Sequence, residues 1–300
     1  MTIAIETNNL SKNYGNVRAI QSVNLHVKTG EIYSFLGLNG AGKTTTIRAL
    51  LGMIRPSEGN VRVLGQDLGP GGRGPWAQVG YLVESPSAYP ELSVRENLEV
   101  ARRLQGIKDP KVVDEIMQDL SIATYADRKA GTLSSGNFQR LGLARALMHK
   151  PTLLILDEPA SALDPAGIVE IREMLIRLAR EHGITIFMSS HNLTEVDKLA
   201  NRIGIIHKGR LIEELDADRL DAIRARQLIV GTHDLMKACE VLKNFQVQKV
   251  AEHRIAIKDQ KAIEAPDMIA TLLVNAGTPP SHLAVEQEDL EGYFLKLTAN

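Results

Sequence analysis

The stretch Gly37-Leu38-Asn39-Gly40-Ala41-Gly42-Lys43-Thr44 constrains this chain more than any other. A glycine, four residues and then Gly-Lys-Thr is the spacing of a phosphate-binding loop. The apolar run Ile32 to Leu36 leads into it, and Thr45 to Ile54 reads as the helix that follows. A strand, a glycine-rich loop and a helix in that order let backbone N–H groups converge on phosphate oxygens. The helix N-terminus adds a dipole that favours an anion. In such a loop Lys43 sits on the β- and γ-phosphates, and the Thr44 hydroxyl on Mg²⁺.

The remainder of the sequence bounds what this loop can serve. Of the 300 residues 44% are hydrophobic and 24% charged, enough apolar content for a buried core. The net charge of −1 gives no basic field for nucleic acid and no polybasic arm for an anionic membrane. The single cysteine, Cys239, excludes a disulfide framework and a cysteine metal site, and suits a reducing compartment. Met1 to Leu10 lacks the basic and apolar regions of a signal peptide. There is no apolar run of about 18 residues, so the expected membrane role is through a partner.

Along the chain, Ile3–Leu10 and Val17–Val27 alternate at a period near two and predict antiparallel strands, with a turn at Asn13–Asn16. Short strands are predicted at Asn60–Leu64 and Val79–Val83, separated by the glycine- and proline-rich break Gly69–Pro75. From Ser93 the pattern turns helical: Ser93 and Glu96 form a capping box, and a second helix carries Val112, Ile116 and Leu120. The runs Leu153–Leu156, Ile184–Met188 and Ile203–His207 read as buried parallel strands, with a helix bearing Ile168, Ile171, Leu175 and Leu178 between the first two. Ligands of such sheets sit at the carboxyl ends of strands, where Gly37, Asp157 and His191 all fall. Asp157 is the expected Mg²⁺ carboxylate, and Glu158 beside it is placed to polarise an attacking water.

These residues, in this order and spacing, resemble the nucleotide-binding subunit of an ATP-binding cassette transporter across about residues 3–215. The resemblance implies a P-loop NTPase core of the α/β class, with an antiparallel β subdomain and a helical subdomain at about 85–150. It implies roles residue by residue. Tyr14 matches the aromatic residue that stacks on adenine. Gly37–Thr44 matches the Walker A loop, so that Asn39, Gly40, Gly42, Lys43, Thr44 and Thr45 would bind nucleotide. Leu153–Glu158 matches the Walker B strand, with Glu158 as base. Asp164 in Ser161–Asp164 matches the D-loop, and His191 the switch histidine at the γ-phosphate. Leu133–Arg140 stands at the signature, so that Ser134 and the Gly136 N–H, at the start of a helix predicted for Phe138–Met148, would bind the γ-phosphate held by a second copy. The implied assembly is a head-to-tail dimer closing on two ATP molecules, joined to integral-membrane permease subunits at the cytoplasmic face of the cell membrane.

The sequence departs from the family pattern at Ser135 and Asn137 in the signature, and at Glu84, where the family usually has a glutamine that reaches Mg²⁺. Glu84 is therefore assigned to metal and catalysis beside Thr44 and Asp157. A glutamate there, with the tail Asp289–Thr298, resembles ATPases that export bacitracin and lantibiotics, implying an antimicrobial peptide or drug as substrate. The competing expectations are a soluble, non-transport cassette ATPase and a low-turnover regulatory subunit. The pattern of residues 1–220 ends in a charged stretch at Asp216–Arg226. Residues 221–300 then follow a β-α-β-β-α-β order, predicting a small ferredoxin-like α+β domain.

Overall fold

The computed structural model describes residues 2–69, 73–84, 86–217, 219, 226–287 and 290–298. The centre of the Gly69–Pro75 break, most of the stretch between Asp216 and Arg226, and Asp289 lie outside the described residues. The chain divides into two compact units, Met1–Ala217 and Asp218–Asn300.

In the first unit, β1 (Ile3–Tyr14) and β2 (Val17–Lys28) form an antiparallel hairpin. With β4 (Glu58–Val63) and β5 (Gln66–Asp67) they make a four-stranded sheet of order β2-β1-β4-β5. The second sheet holds β3 (Ile32–Leu36), β6 (Val79–Leu82), β7 (Leu153–Asp157), β8 (Thr185–Ser190), β9 (Arg202–His207) and β10 (Arg210–Asp216). Its order is β10-β9-β3-β8-β7-β6, and every pairing is parallel except that of β10 with β9.

The central strands are apolar on both faces because each face meets a different core. Tyr33, Phe35, Leu153, Ile155 and Phe187 point into a cluster shared with the antiparallel sheet and with Ile47 and Leu50 of α1 (Lys43–Leu50). Their neighbours Ile32, Leu154, Leu156, Ile186 and Met188 point the other way. There they meet Ile171 and Leu175 of α5 (Pro165–His182) and the helical block of α2 (Val94–Leu104), α3 (Lys111–Asp119) and α4 (Ser135–Leu147). Fully burying each such side chain is worth about 1.5–3 kcal/mol, which is what the unbroken run Leu153–Leu156 supplies. The short helix α6 (Leu193–Leu199) follows β8.

Several boundaries differ from those predicted. Helix α1 begins at Lys43 rather than Thr45, and ends before Gly52, whose φ of 65° is left-handed. Helix α4 begins at Ser135 rather than Phe138, because Ser134 caps it by accepting the Asn137 N–H. That places Ser135 and Gly136 in its first turn. The capping box at Ser93 and Glu96 forms as expected. Strand β8 runs past Met188 through two serines, and β10, a strand not predicted from the sequence, runs through charged residues up to Asp216, where the boundary was expected. Charged residues on an edge strand discourage further pairing.

The second unit contains β11 (Arg226–Gly231), α7 (Leu235–Val241), β12 (Val247–Ala251), β13 (Arg254–Ile257), α8 (Gln260–Glu264), α9 (Pro266–Asn275), β14 (His282–Gln287) and α10 (Leu290–Thr298). The sheet order is β12-β13-β11-β14 with all neighbours antiparallel. This is the interleaved order of a ferredoxin-like sheet. Leu228, Val230, Ile255 and Ile257 pack with Ala238, Leu242, Ile269 and Leu273 in its core.

Candidate active site

Three neighbouring strands, β3, β8 and β7, end at the same edge of the parallel sheet, and their ends carry the chemistry. The loop after β3 turns tightly over the sheet, and glycine is required at its turning points. A Cβ on Gly37 would stand 2.6 Å from the Ile206 carbonyl oxygen. Gly42 has φ +109°, and a Cβ there would stand 2.7 Å from the Ala19 carbonyl oxygen. Asn39, Gly40, Gly42, Lys43, Thr44 and Thr45 line a cavity of about 420 Å³ closed on one side by Glu158.

Within it Lys43 is 6% exposed. Its Nζ donates to the Gly37 carbonyl at 2.7 Å and to the Leu38 carbonyl at 3.3 Å. It also lies 3.2 Å from Glu158 Oε1, an ion pair without hydrogen-bond alignment. An ammonium held by carbonyls in the mouth of a glycine loop is a cradle for an anion. Thr44 Oγ1 donates to Asp157 Oδ2 at 2.8 Å. The other Asp157 oxygen accepts the Ser189 hydroxyl at 2.5 Å, and Ser189 Oγ in turn accepts the Glu158 N–H at 3.0 Å. Glu158 has φ +51°, an unusual left-handed backbone for a non-glycine residue. Its Oε2 lies 2.8 Å from His191 Nδ1, so the histidine proton facing the carboxylate is on Nδ1.

Lys43, Thr44, Asp157, Glu158 and His191 are thus brought together. Neither Ser189 nor Gln139 was selected by sequence reasoning. Buried Gln139, on α4, donates to the Pro159 carbonyl at 3.2 Å and so ties that helix to the turn after Glu158. The hydroxyl run Ser189-Ser190 directly before His191 was the available signal: polar residues at the end of an apolar strand need partners.

The other expected residues lie elsewhere. Tyr14 ends β1, is half-exposed, and carries Lys12 Nζ 5.1 Å from its ring centroid. Its hairpin brings Val17, Arg18 and Ala19, not the tyrosine itself, to the cavity lining. Ser134 and Asp164 are engaged as helix caps, of α4 and α5 respectively. Gly136 packs against Ala162 and Leu163 of the segment before Asp164, where a Cβ would stand 3.4 Å from the Ala162 carbonyl oxygen.

Glu84, expected beside Thr44 and Asp157, is paired with an arginine in this structure. Its Oε1 accepts from Arg48 Nη2 at 2.7 Å. It lines a separate cavity of about 790 Å³ with Tyr81, Leu104, Arg145 and His149. Arg48, on α1, offers this exposed carboxylate an opposite charge. Burial holds both Arg145 and His149 below their ordinary pKa values, the latter partly offset by its contact with the Val79 carbonyl.

Among the described residues no cluster of three or more His, Cys, Asp or Glu could hold a metal. The Thr44 and Asp157 oxygens nevertheless fit Mg²⁺, which takes few protein ligands and completes its shell with phosphate and water. Among the described residues no helix is long and apolar enough to cross a membrane.

Comparison with known proteins agrees with this geometry. Residues 20–161 match the family described as ABC transporter. Bacitracin transport ATP-binding protein BcrA of Bacillus licheniformis is 38% identical over 99% of this chain and 98% of its own length. Lantibiotic transport ATP-binding protein SrtF of Streptococcus pyogenes is 35% identical over 71% of this chain and 91% of its own. Among solved structures, the dimeric bacterial ABC transporter cassette MJ0796 superposes with a TM-score of 0.65 at 26% identity, covering 71% of this chain and 98% of that one.

Proposed function

The chain belongs to the ABC transporter family as an ATP-binding, ATP-hydrolysing subunit, and from that premise we propose that it drives a separate membrane permease exporting an antimicrobial peptide or drug. The observation that carries the substrate class is the span of the likeness to BcrA. It extends over 99% of this chain and therefore takes in the C-terminal unit as well as the cassette. The working form is a head-to-tail dimer at the cytoplasmic face of the membrane. Each ATP lies on the phosphate loop of one copy and is completed by Ser134 and the Gly136 N–H of the other. Tyr14 stacks on adenine, and Asp164 communicates between the copies. The first-turn N–H groups of α4 favour an anion in this role.

Each residue of the site has a chemical task in this reading. Lys43 and the loop N–H groups hold the β- and γ-phosphates. Thr44 and Asp157 hold Mg²⁺, which neutralises developing charge on the phosphates. Glu158 accepts the proton of the attacking water. Its left-handed backbone and its two cationic or N–H neighbours, Lys43 and His191, hold the carboxylate toward the phosphate cavity. His191 then contacts the γ-phosphate.

The test is resistance. The chain is expressed with the permease encoded beside it, and growth is measured in bacitracin, in a lantibiotic and in unrelated membrane-active peptides. Raised tolerance to at least one, lost in Lys43→Ala, is expected. Equal sensitivity with and without the pair across the panel would sink the substrate assignment, while ATP hydrolysis by the purified chain would stand.

A further inference from the structure

We propose that Ser189 is the positioning residue that sets both carboxylates of the site at once. Its hydroxyl has one proton and two lone pairs. The proton goes to Asp157 Oδ1 at 2.5 Å, and a lone pair accepts the Glu158 N–H at 3.0 Å. The side chain is fully buried, so water does not replace either partner. The direction of the bonds is fixed by chemistry: a carboxylate only accepts, a backbone N–H only donates, and a hydroxyl does both.

The place of Ser189 in the sheet explains why this position has that reach. Strand β8 lies between β3, which leads into the phosphate loop, and β7, which ends in Asp157. In register Ser189 pairs with Phe35 on one side and Asp157 on the other. It is the penultimate residue of β8, followed by Ser190 and then His191. With Thr44 donating to Oδ2 and Ser189 to Oδ1, Asp157 has both oxygens fixed, and the carboxylate plane cannot turn. The same hydroxyl anchors the Glu158 N–H, at a residue whose φ of +51° needs support from its surroundings. Ser189 is buried and is not among the residues that line the phosphate cavity. It acts through Asp157 on the metal and through Glu158 on proton transfer.

The inference rests on the reading of Asp157 as metal carboxylate and Glu158 as base, and the experiment separates the two. In the full-length chain, Mn²⁺ affinity in the presence of a non-hydrolysable ATP analogue is measured by electron paramagnetic resonance, and amide exchange at Glu158 by mass spectrometry on the nucleotide-free protein. Ser189→Ala is expected to weaken Mn²⁺ binding by about 10-fold or more, the usual cost of removing an outer-shell partner. It should lower kcat with little change in KM for ATP, and speed exchange of the Glu158 amide. Ser189→Thr, which keeps the hydroxyl, should recover Mn²⁺ affinity and amide protection. Should Ser189→Ala not fold, Ser189→Cys offers a near-isosteric, weaker donor for the same readings. Unchanged Mn²⁺ affinity in Ser189→Ala while Asp157→Asn weakens it overturns the inference, as does a Glu158 amide that stays protected. If Asp157→Asn itself leaves Mn²⁺ binding intact, the metal assignment of Asp157 fails instead.

Discussion

Asp157 and Glu84 are carboxylates at the same edge of one sheet, at or just past the ends of neighbouring strands, and they are held in opposite ways. Asp157 ends β7, is 3% exposed, and has each oxygen engaged by a buried or half-buried hydroxyl. Glu84 lies two residues beyond β6, with a side chain 57% exposed and one cationic partner, Arg48. Removing a hydroxyl donor from a buried carboxylate costs about 1.5–3 kcal/mol, the worth of a hydrogen bond to a charged group. An exposed ion pair is worth about 0–1 kcal/mol. The first is held rigidly, as its proposed role at the metal requires. The second stays where Arg48 holds it until something stronger competes.

The pre-organised side is broken most severely at Glu158. Glu158→Gln keeps the shape of the side chain, removes the base and leaves Lys43 without its ionic partner. Turnover is expected to fall about 10²- to 10⁴-fold, the worth of a positioned general base. ATP binding should survive, so that gel filtration in ATP shows an accumulated dimer. Hydrolysis at the wild-type rate would show that Glu158 is not the base.

Asp157→Asn comes next. The amide keeps one oxygen for Thr44 or Ser189 and turns the other position into a donor, which the facing hydroxyl meets by rotating. Folding should survive while charge at the metal is lost. A turnover loss of about 10²- to 10³-fold is expected, as for removal of one strong electrostatic stabiliser. Steady-state hydrolysis against Mg²⁺ concentration checks it, with rescue at high Mg²⁺ marking a binding defect.

Glu84→Gln and Arg48→Ala give a much smaller effect if the comparison holds. Releasing an exposed pair worth under about 1 kcal/mol changes turnover by no more than about fivefold. The same Mg²⁺ titration reads it. A hundredfold loss in Glu84→Gln with Arg48→Ala near wild type would mean that Glu84 leaves Arg48 and reaches the metal during turnover. The two carboxylates would then differ only at rest.

This contrast also marks what the sequence can and cannot disclose. Gly37–Thr44 is legible because its chemistry is contiguous and its spacing is set by the loop itself. The parallel sheet is legible because Leu153–Leu156 and its counterparts are apolar on both faces. The ferredoxin-like order of the second unit follows from element order alone, since split β-α-β units interleave in one way. Ser189 is not legible, because its partners, Asp157 and Glu158, are 32 and 31 residues away and meet it only across a strand pair. Nor is the Arg48–Glu84 pair, formed over 36 residues between a helix face and a loop. Strand β10 was hidden by its charges, and the first turn of α4 by Gly136 and Asn137, poor helix formers that Ser134 overrides by capping.

The smallest effect belongs to stability at the β6 edge, the side that carries Glu84. His149 lines the same cavity, with Nε2 3.2 Å from the Val79 carbonyl and Nδ1 buried without a partner. Burial lowers its pKa from 6.5, against the opposing pull of the Val79 carbonyl. The unfolded chain therefore takes up the proton more readily than the folded one. His149 costs nothing above the unfolded value of 6.5, and stability is lost as pH falls below it. The slope from this residue is capped by one proton, about 1.4 kcal/mol per pH unit. In His149→Gln the amide keeps a donor for Val79 but cannot be protonated. Its melting temperature should fall less than that of the wild type between pH 7 and about pH 5. Parallel curves would show that the imidazole is as easily protonated in the fold as outside it. The loose hold seen at Glu84 would then extend to the whole β6 edge.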